Sequence, residues 1–358
     1  MNKKDMIFSA YAFFFNMGAR RGVLANRVGL ASIHNAHFKD GLGEVEREMG
    51  QDYCYIKTER AALSQGPAKA LKFITLDAYR LGRSKYIFLN DNFMPLSKCK
   101  PNAETKIIQL WHGQGVFKKF GLHINQPFDI RHRELAANSK LSYVVCSSEN
   151  VRKIYSEAFA IQEKNVISTG SPTSDYYFRE EEKDVAKAHV YEKYPMLRDK
   201  KVVLYAPTFR DNGNDILSGM DKLSDMLGPD YEVIVRLHPQ VHGNNRPEGI
   251  DVTDYDNVNE LALVSDILIT DYSSICMDFA LQNKPIIFFA YDLDEYKDMR
   301  NFYFDYEEYV PGPIIRDYSE LANAVLNAKI DDRMNKFREF NFGHPDGTAT
   351  RQLLEQIL

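Results

Sequence analysis

Ile267-Leu-Ile-Thr-Asp-Tyr-Ser-Ser-Ile-Cys-Met-Asp-Phe-Ala-Leu-Gln282 decides the fold. Ile267–Thr270 is a short apolar run with the length of a fully buried strand. Asp271-Tyr-Ser-Ser274 breaks it with residues that favour turns and helix N-caps, and Ile275 to Gln282 continues with helical spacing. A buried strand that feeds a helix through a polar turn is one βα unit. A series of such units makes a parallel sheet.

The arrangement recurs on both sides of this stretch. Pro285 to Phe289 reads as a strand ending in Ala290-Tyr291-Asp292. Lys201 to Tyr205 runs into Ala-Pro-Thr-Phe-Arg210, and Tyr231 to Leu237 runs into His238-Pro239. A first series lies upstream. Arg27 to Ile33 is a strand ending in the polar loop His34 to Gly43, and Leu42 to Met49 is helical. Tyr53 to Lys57 is a strand, and Ala68 to Leu81 has a helical period. Tyr86 to Leu89 ends in Asn90-Asp-Asn92, Lys106 to Leu110 ends in Trp111-His-Gly-Gln-Gly115, and Leu141 to Cys146 follows. The charged stretch Arg179-Glu-Glu-Glu-Lys-Asp184, which opens a helix toward Tyr191, separates the two series. At about 150 residues per domain, 358 residues suit two domains. The expected fold is therefore α/β and GT-B-like. Two Rossmann-like parallel-sheet domains face a cleft, with the polar clusters at the carboxyl ends of their strands.

Charge is unevenly divided. Residues 1–150 carry 22 Lys+Arg and 13 Asp+Glu, a net of +9, while the rest carries 23 and 37, a net of −14. A basic half attracts an anionic partner. It lacks the aromatic–basic interleaving of a nucleic-acid module, so no nucleic acid is expected. Cys54, Cys99, Cys146 and Cys276 stand far apart with no CxxC pair, which argues against a disulfide framework or structural zinc and fits a reducing cytoplasm. The apolar run Met6 to Phe15 spans about 15 Å as a helix, half a bilayer core. Its broad apolar face, flanked by Lys and Arg, suits a short amphipathic helix in a membrane interface, and residues 1–26 are assigned to such a segment. The competing reading packs this helix on its own domain.

Several residues carry chemistry. Asp271, Ser273 and Ser274 stand where a helix begins, a place that offers backbone N–H groups and hydroxyls to a pyrophosphate. His112, at a strand end beside Gly113, suits a general base, since an unperturbed imidazole accepts a proton near neutral pH. Lys118 and Lys119 follow it and serve anionic oxygens. Arg236 and His238 alternate onto one face of a strand end, and both donate to phosphate. Thr208 and Arg210, with Asp211, form another polar group after a strand, and His34 in the first loop is a candidate for acceptor contact. GxGxxG, GxxxxGK[ST] and GxSxG are absent, which removes motif support for dehydrogenase, P-loop and hydrolase readings. No metal-ligand spacing is visible.

Together these stretches closely resemble the CDP-glycerol glycerophosphotransferase family, the teichoic-acid primases and polymerases and related capsule enzymes. The most specific are Leu110 to Gly121, Val203 to Asp211, Arg236 to Pro239, Ile269 to Ala280, Lys284 to Tyr296, and Phe302 to Tyr306. The resemblance implies an enzyme on the cytoplasmic membrane face. It would move glycerol phosphate from CDP-glycerol to a hydroxyl of an anionic lipid-linked or polymeric acceptor and release CMP. CDP-ribitol is the alternative donor, and a nucleotide-sugar glycosyltransferase of the same fold is the more distant alternative. It also implies His112 as general base, His238 near the donor phosphates, and Ser273 and Ser274 as pyrophosphate-binding hydroxyls. No cofactor is implied beyond a Mg²⁺ travelling with the donor phosphates. Residues 27–185 would form the acceptor-side domain, 186–336 the CDP-polyol domain, and 337–358 a helix crossing back to the first. Thr173 departs from the family pattern, which places Arg there.

Overall fold

The computed structural model describes residues 3–33, 38, 40–208, 220–237, 249–299 and 302–358. They fall into two compact units, Met1–Asp175 with Asn341–Leu358, and Tyr176–Phe340. In the first, the strands are β1 (Leu24–Ser32), β2 (Cys54–Glu59), β3 (Ser84–Leu89), β4 (Lys106–Gln109), β5 (Tyr143–Val145) and β6 (Val166–Ile167). They form one parallel sheet in the order β2-β1-β3-β4-β5-β6.

Period-two alternation along β3 divides the core. Ile87 and Leu89 join Tyr11, Phe15 and Phe73 on one face, while Tyr86 and Phe88 join Leu42, Val45, Leu353 and Ile357 on the other. Both faces are covered, and that is why these strands read as continuous apolar runs rather than alternating ones.

The second unit contains β7 (Lys201–Tyr205), β8 (Tyr231–Val235), β9 (Ile250–Asp251), β10 (Ile267–Thr270), β11 (Ile286–Phe289) and β12 (Ile314–Ile315). Their order is β12-β11-β10-β7-β8-β9, again parallel. Val203, Tyr205, Val235, Ile269 and Ile287 pack with Leu223, Leu321 and Val325 on one face. The strand order reverses beside β7 and β10 here, and beside β1 and β3 in the first unit. Open parallel sheets bind ligands at such switch points.

Two expectations change. The N-terminal segment is not a separate layer: the helix Lys3–Arg20 belongs to the first unit. Phe8, Tyr11, Ala12, Phe15 and Ala19 are buried at helical spacing, and the Tyr11 ring lies 4.9 Å from that of Phe73. Gly18 permits the approach, since a Cβ there would meet the Tyr79 carbonyl oxygen at 2.1 Å. The polar line Asp5, Ser9, Asn16 does not face outward as it would on an interfacial helix. Lys98 Nζ donates to Asp5 O and Ser9 Oγ, and Lys100 N donates to Asn16 Oδ1. Met6, Phe13 and Met17 do remain exposed.

The division also falls at Asp175/Tyr176 rather than after residue 185. The charged helix Glu180–Lys193 buries Ala186 and Val190 and packs on the helix Val258–Val264 of the second unit. The chain re-enters the first unit at Asn341, four residues after the expected 337. Both carboxylate oxygens of buried Asp175 accept from Ala349 N and Thr350 N, capping the final helix, Ala349–Ile357.

Candidate active site

In the first unit the chain leaves β4 through Leu110 into Trp111, whose φ of 61° turns it sharply. Buried Gln109 latches that turn. Its Nε2 donates to Asp91 O at 3.0 Å, and its Oε1 accepts from Trp111 N at 3.0 Å. Trp111 is held by stacking on Phe120 at 5.3 Å and by an edge contact with Phe159 at 5.3 Å. His112 projects next, with its side chain 54% exposed, and its Nδ1 lies 3.3 Å from Asn90 O. A carbonyl oxygen only accepts, so this contact calls for the hydrogen on Nδ1, the tautomer that in the neutral ring has its lone pair on Nε2. The Asp91 carboxylate stands 3.8 Å from the same Nδ1. An exposed imidazole held from behind through Nδ1 is the arrangement a general base needs.

The rest of the loop is clamped from afar. Tyr155 OH donates to Gly113 O and Gly115 O, both at 3.1 Å. Gly115 N donates to Ser147 Oγ at 2.9 Å, Ser147 Oγ donates to Asn341 O at 2.6 Å, and Val116 N donates to Asn341 Oδ1 at 3.0 Å. Lys118 and Lys119 are half-buried farther along the same loop. Thr173, where Arg was expected, has a structural use: its Oγ1 accepts from Gly41 N at 3.1 Å, beside the Asp40 cap of the helix Gly41–Met49. Asn90 Nδ2 in turn donates to Asp40. His34 lies outside the described residues.

In the second unit the switch point is bridged directly. Thr208 N, after β7, donates to Asp271 Oδ1 at 2.8 Å, and Tyr272 N donates to the same oxygen at 2.5 Å. Asp271 is 2% exposed. This corrects its assignment as a phosphate ligand: the carboxylate is turned inward onto backbone N–H groups and holds the two strand ends together. Beneath it, Tyr306 OH donates to Asp271 O at 2.9 Å, and Tyr272 stacks on Tyr296 at 3.6 Å while donating to Asp292 Oδ1 at 2.9 Å. Burial pushes the Tyr306 phenol well above its usual range, so it stays a neutral donor. Ser273 is half-buried and Ser274 exposed at the start of the helix Ile275–Leu281, and the Ser274 side chain makes no capping bond.

Arg236, just beyond β8, is half-buried, and its Nη1 donates to Tyr255 O at 2.5 Å. Burial lowers its guanidinium, and the nearby Asp256 opposes that. One arm of the Arg236 fork is thus committed to the protein. Arg210, Asp211 and His238 lie outside the described residues. Among the described residues, no group of three His, Cys, Asp or Glu side chains is placed to hold a metal ion. No helix among them is long and apolar enough to cross a membrane.

The structural contributions of Gln109, Tyr155 and Asn341 were not anticipated from the sequence. Asn90-Asp-Asn92, a polar strand end, is the one local signal in the sequence of the support behind His112.

Two doubly wound parallel units with polar residues at their switch points define a GT-B-like protein. The wall teichoic acid polymerase TagF has the same fold, with a TM-score of 0.83 at 23% identity over 98% of this chain and 93% of that one. The profile of the family described as CDP-glycerol:poly(glycerophosphate) glycerophosphotransferase matches residues 14–358, and the chain belongs to that family. The teichoic acid ribitol-phosphate primase of Bacillus spizizenii is 30% identical over 354 residues, covering 93% of this chain and 90% of the primase. The teichoic acid glycerol-phosphate primase of Bacillus subtilis is 30% identical over 340 residues, 87% of each. The teichoic acid poly(ribitol-phosphate) polymerase of Bacillus spizizenii is 36% identical over 310 residues, 81% of this chain. The chain spans about half the length of that polymerase, 49%.

Proposed function

We propose that this chain transfers glycerol phosphate from CDP-glycerol to a hydroxyl of a lipid-linked or polymeric acceptor, releasing CMP, in teichoic-acid-type polymer synthesis. The observation that carries the reading, given the family, is His112, an exposed imidazole whose Nδ1 faces the Asn90 carbonyl. The acceptor hydroxyl gives its proton to Nε2 as its oxygen bonds to the phosphorus that carries glycerol. The bond from that phosphorus to the CMP oxygen breaks, and CMP leaves with the electron pair. Ser273, Ser274, Arg236, Arg210 and His238 are assigned to the charge on the phosphoryl oxygens and on CMP. Gly113, Thr208, Lys118, Lys119 and His34 remain candidates for donor or acceptor contact. Catalysis of this kind rests on positioning and charge stabilisation.

Ribitol phosphate from CDP-ribitol is the second reading, favoured by the ribitol-phosphate primase and polymerase among the relatives. The exposed Met6, Phe13 and Met17 and the basic first 150 residues support peripheral attachment to an anionic membrane surface.

The experiment supplies CDP-glycerol and CDP-ribitol separately with lipid-linked acceptors, follows CMP, and weighs the product. His112→Ala is expected to lower CMP formation by about 10²–10⁴-fold with CDP-polyol binding retained. Unchanged turnover removes the base assignment. Release of a nucleoside diphosphate from an added nucleotide-sugar donor, with no CMP from either CDP-polyol, points to sugar transfer instead.

A further inference from the structure

His112 has an anionic neighbour to which the reaction above gives no task. Asp91 Oδ2 stands 3.8 Å from His112 Nδ1, while Asn90 O lies closer to the same nitrogen, at 3.3 Å. The carboxylate is held there by its own segment and by β4. Its Oδ1 accepts from Asn92 N at 2.6 Å, and Gln109 Nε2 donates to the Asp91 carbonyl at 3.0 Å. Gln109 also accepts from Trp111 N, so one buried side chain ties the end of β3 to the turn that carries His112. That tie fixes the separation of carboxylate and imidazole. The Asp91 side chain is 26% exposed against 54% for His112. Charges this close at a protein surface interact more strongly than they would in bulk water.

Asp91 faces a second cation. Arg60, which follows β2, is half-buried; burial lowers its guanidinium, and Asp91 opposes that. One carboxylate therefore serves a permanent cation, Arg60, and a ring that becomes a cation only on taking a proton. Other charged groups reach the segment 90–92 from the packed helices. Asn90 Nδ2 donates to Asp40, the cap of the helix Gly41–Met49. Glu134 and Arg131 come from the helix Phe128–Asn138. Burial raises the Glu134 carboxyl; hydrogen bonds from Gln126 and Asn92 and the Arg131 charge oppose this, and Asp91 adds to it.

We propose that Asp91 is a positioning residue for the base: its charge, moderated by Arg60, stabilises the imidazolium that His112 becomes during transfer. The proposal rests on the transferase reading for the task of the ring, whereas the charge coupling is measurable without turnover. The acceptor's proton bonds to Nε2, the ring carries the added positive charge, and Asp91 takes no proton. Nδ1 keeps its hydrogen toward Asn90 O. Loss of the Nε2 proton to solvent restores the neutral ring.

The imidazole signal of His112 in the full chain, identified by its loss in His112→Ala, is followed by NMR against pH without substrate. Asp91→Asn is nearly isosteric and keeps an oxygen for Asn92 N. It is expected to move the titration midpoint of His112 down by about 1 pH unit, since the imidazolium loses a neighbouring anion. Arg60→Gln is expected to move it up, by about 0.2 pH units or more, and Arg60→Lys to leave it at the parental value. A change of packing has no reason to give opposite signs. An unmoved midpoint in Asp91→Asn overturns the proposal. So does a downward shift in Arg60→Gln, or an equal shift in Arg60→Lys and Arg60→Gln. Where Arg60→Gln does not fold, Asp91→Asn alone decides. CMP release from CDP-polyols against pH is the second readout. In Asp91→Asn the acid limb of kcat should move down with the NMR midpoint, and the plateau should fall about three- to tenfold with CDP-polyol affinity retained. An acid limb and plateau equal to the parent's overturn the positioning role. Absence of CMP release from the parent counts against the transferase reading, and the NMR midpoints still decide the charge coupling.

Discussion

Replacing Gly115 by alanine tests whether the loop that carries His112 is held by a contact from the far end of the chain. Gly115 has φ 59°, and a Cβ built there would lie 2.5 Å from Asn341 Oδ1 and 2.9 Å from Asn341 Cβ and Cγ. The left-handed conformation alone costs alanine about 1–2 kcal/mol. Asn341 is fully buried and cannot swing into solvent, and its Oδ1 accepts from Val116 N at 3.0 Å. Moving it leaves a buried N–H without a partner, which adds about 1–3 kcal/mol. The expected loss is therefore about 2–5 kcal/mol, a large share of the roughly 5–15 kcal/mol that holds a domain together. Urea unfolding of Gly115→Ala, Asn341→Ala and the double variant measures it. Asn341→Ala alone forfeits the hydrogen bond but makes room. The double variant should then lose less than the sum of the singles, by about 0.5–3 kcal/mol. CMP formation should fall further in Gly115→Ala than CDP-polyol affinity does, because the displaced segment is the one bearing His112. A Gly115→Ala protein with the parental urea midpoint, or strict additivity in the cycle, would refute the clamp.

Other variants probe the remaining contacts. Both Thr208 N and Tyr272 N use Asp271 Oδ1, an oxygen that asparagine retains. Asp271→Asn should therefore stay near parental stability while Asp271→Ala loses about 2–4 kcal/mol by chemical denaturation. Equal losses argue against a role for that oxygen. Asp175→Ala removes the cap of the final helix and should cost about 0.5–2 kcal/mol, with faster amide exchange across Ala349–Ile357. Unaltered exchange there refutes the capping account. Lys284 Nζ donates to the carbonyls of Ala262, Leu263 and Ser265, and burial lowers its pKa from 10.5 to about 8. Between those values the unfolded chain binds the extra proton, so stability should rise with pH across that window. The slope from this group is at most about 1.4 kcal/mol per pH unit. Lys284→Met should lack that contribution, and parallel pH profiles for parent and variant count against it.

The legible parts of the fold were those with a local period. β3 and β10 show it: four to six apolar residues, then a polar turn, read directly as buried strands of a parallel sheet. β6, β9 and β12 escaped because two residues carry no period. The helix expected over Ala68–Leu81 is interrupted by a π segment at Phe73–Asp77. There Asp77 is buried and bonded to Lys72 Nζ at 2.6 Å, a feature that spacing alone does not announce. At the candidate site, His112 and the polar turn after β10 were visible as polar residues at strand ends. The inward turn of Asp271 was not, since nothing local distinguishes a carboxylate that caps backbone N–H groups from one that meets a ligand.

The amino-acid sequence by itself determined the tandem parallel α/β plan and the family. Strand and helix periods are local, and the long motifs are contiguous. Tertiary structure alone decided that the N-terminal helix is core, that Thr173 and Asp175 cap helices at Gly41 and Ala349, and that Asn341 holds the His112 loop. Each of these depends on a hydrogen bond or a buried ring whose partner is distant along the chain, 225 residues away for Val116 and Asn341. Such pairings leave no periodic trace in either segment and exist only once the sheet has brought them together.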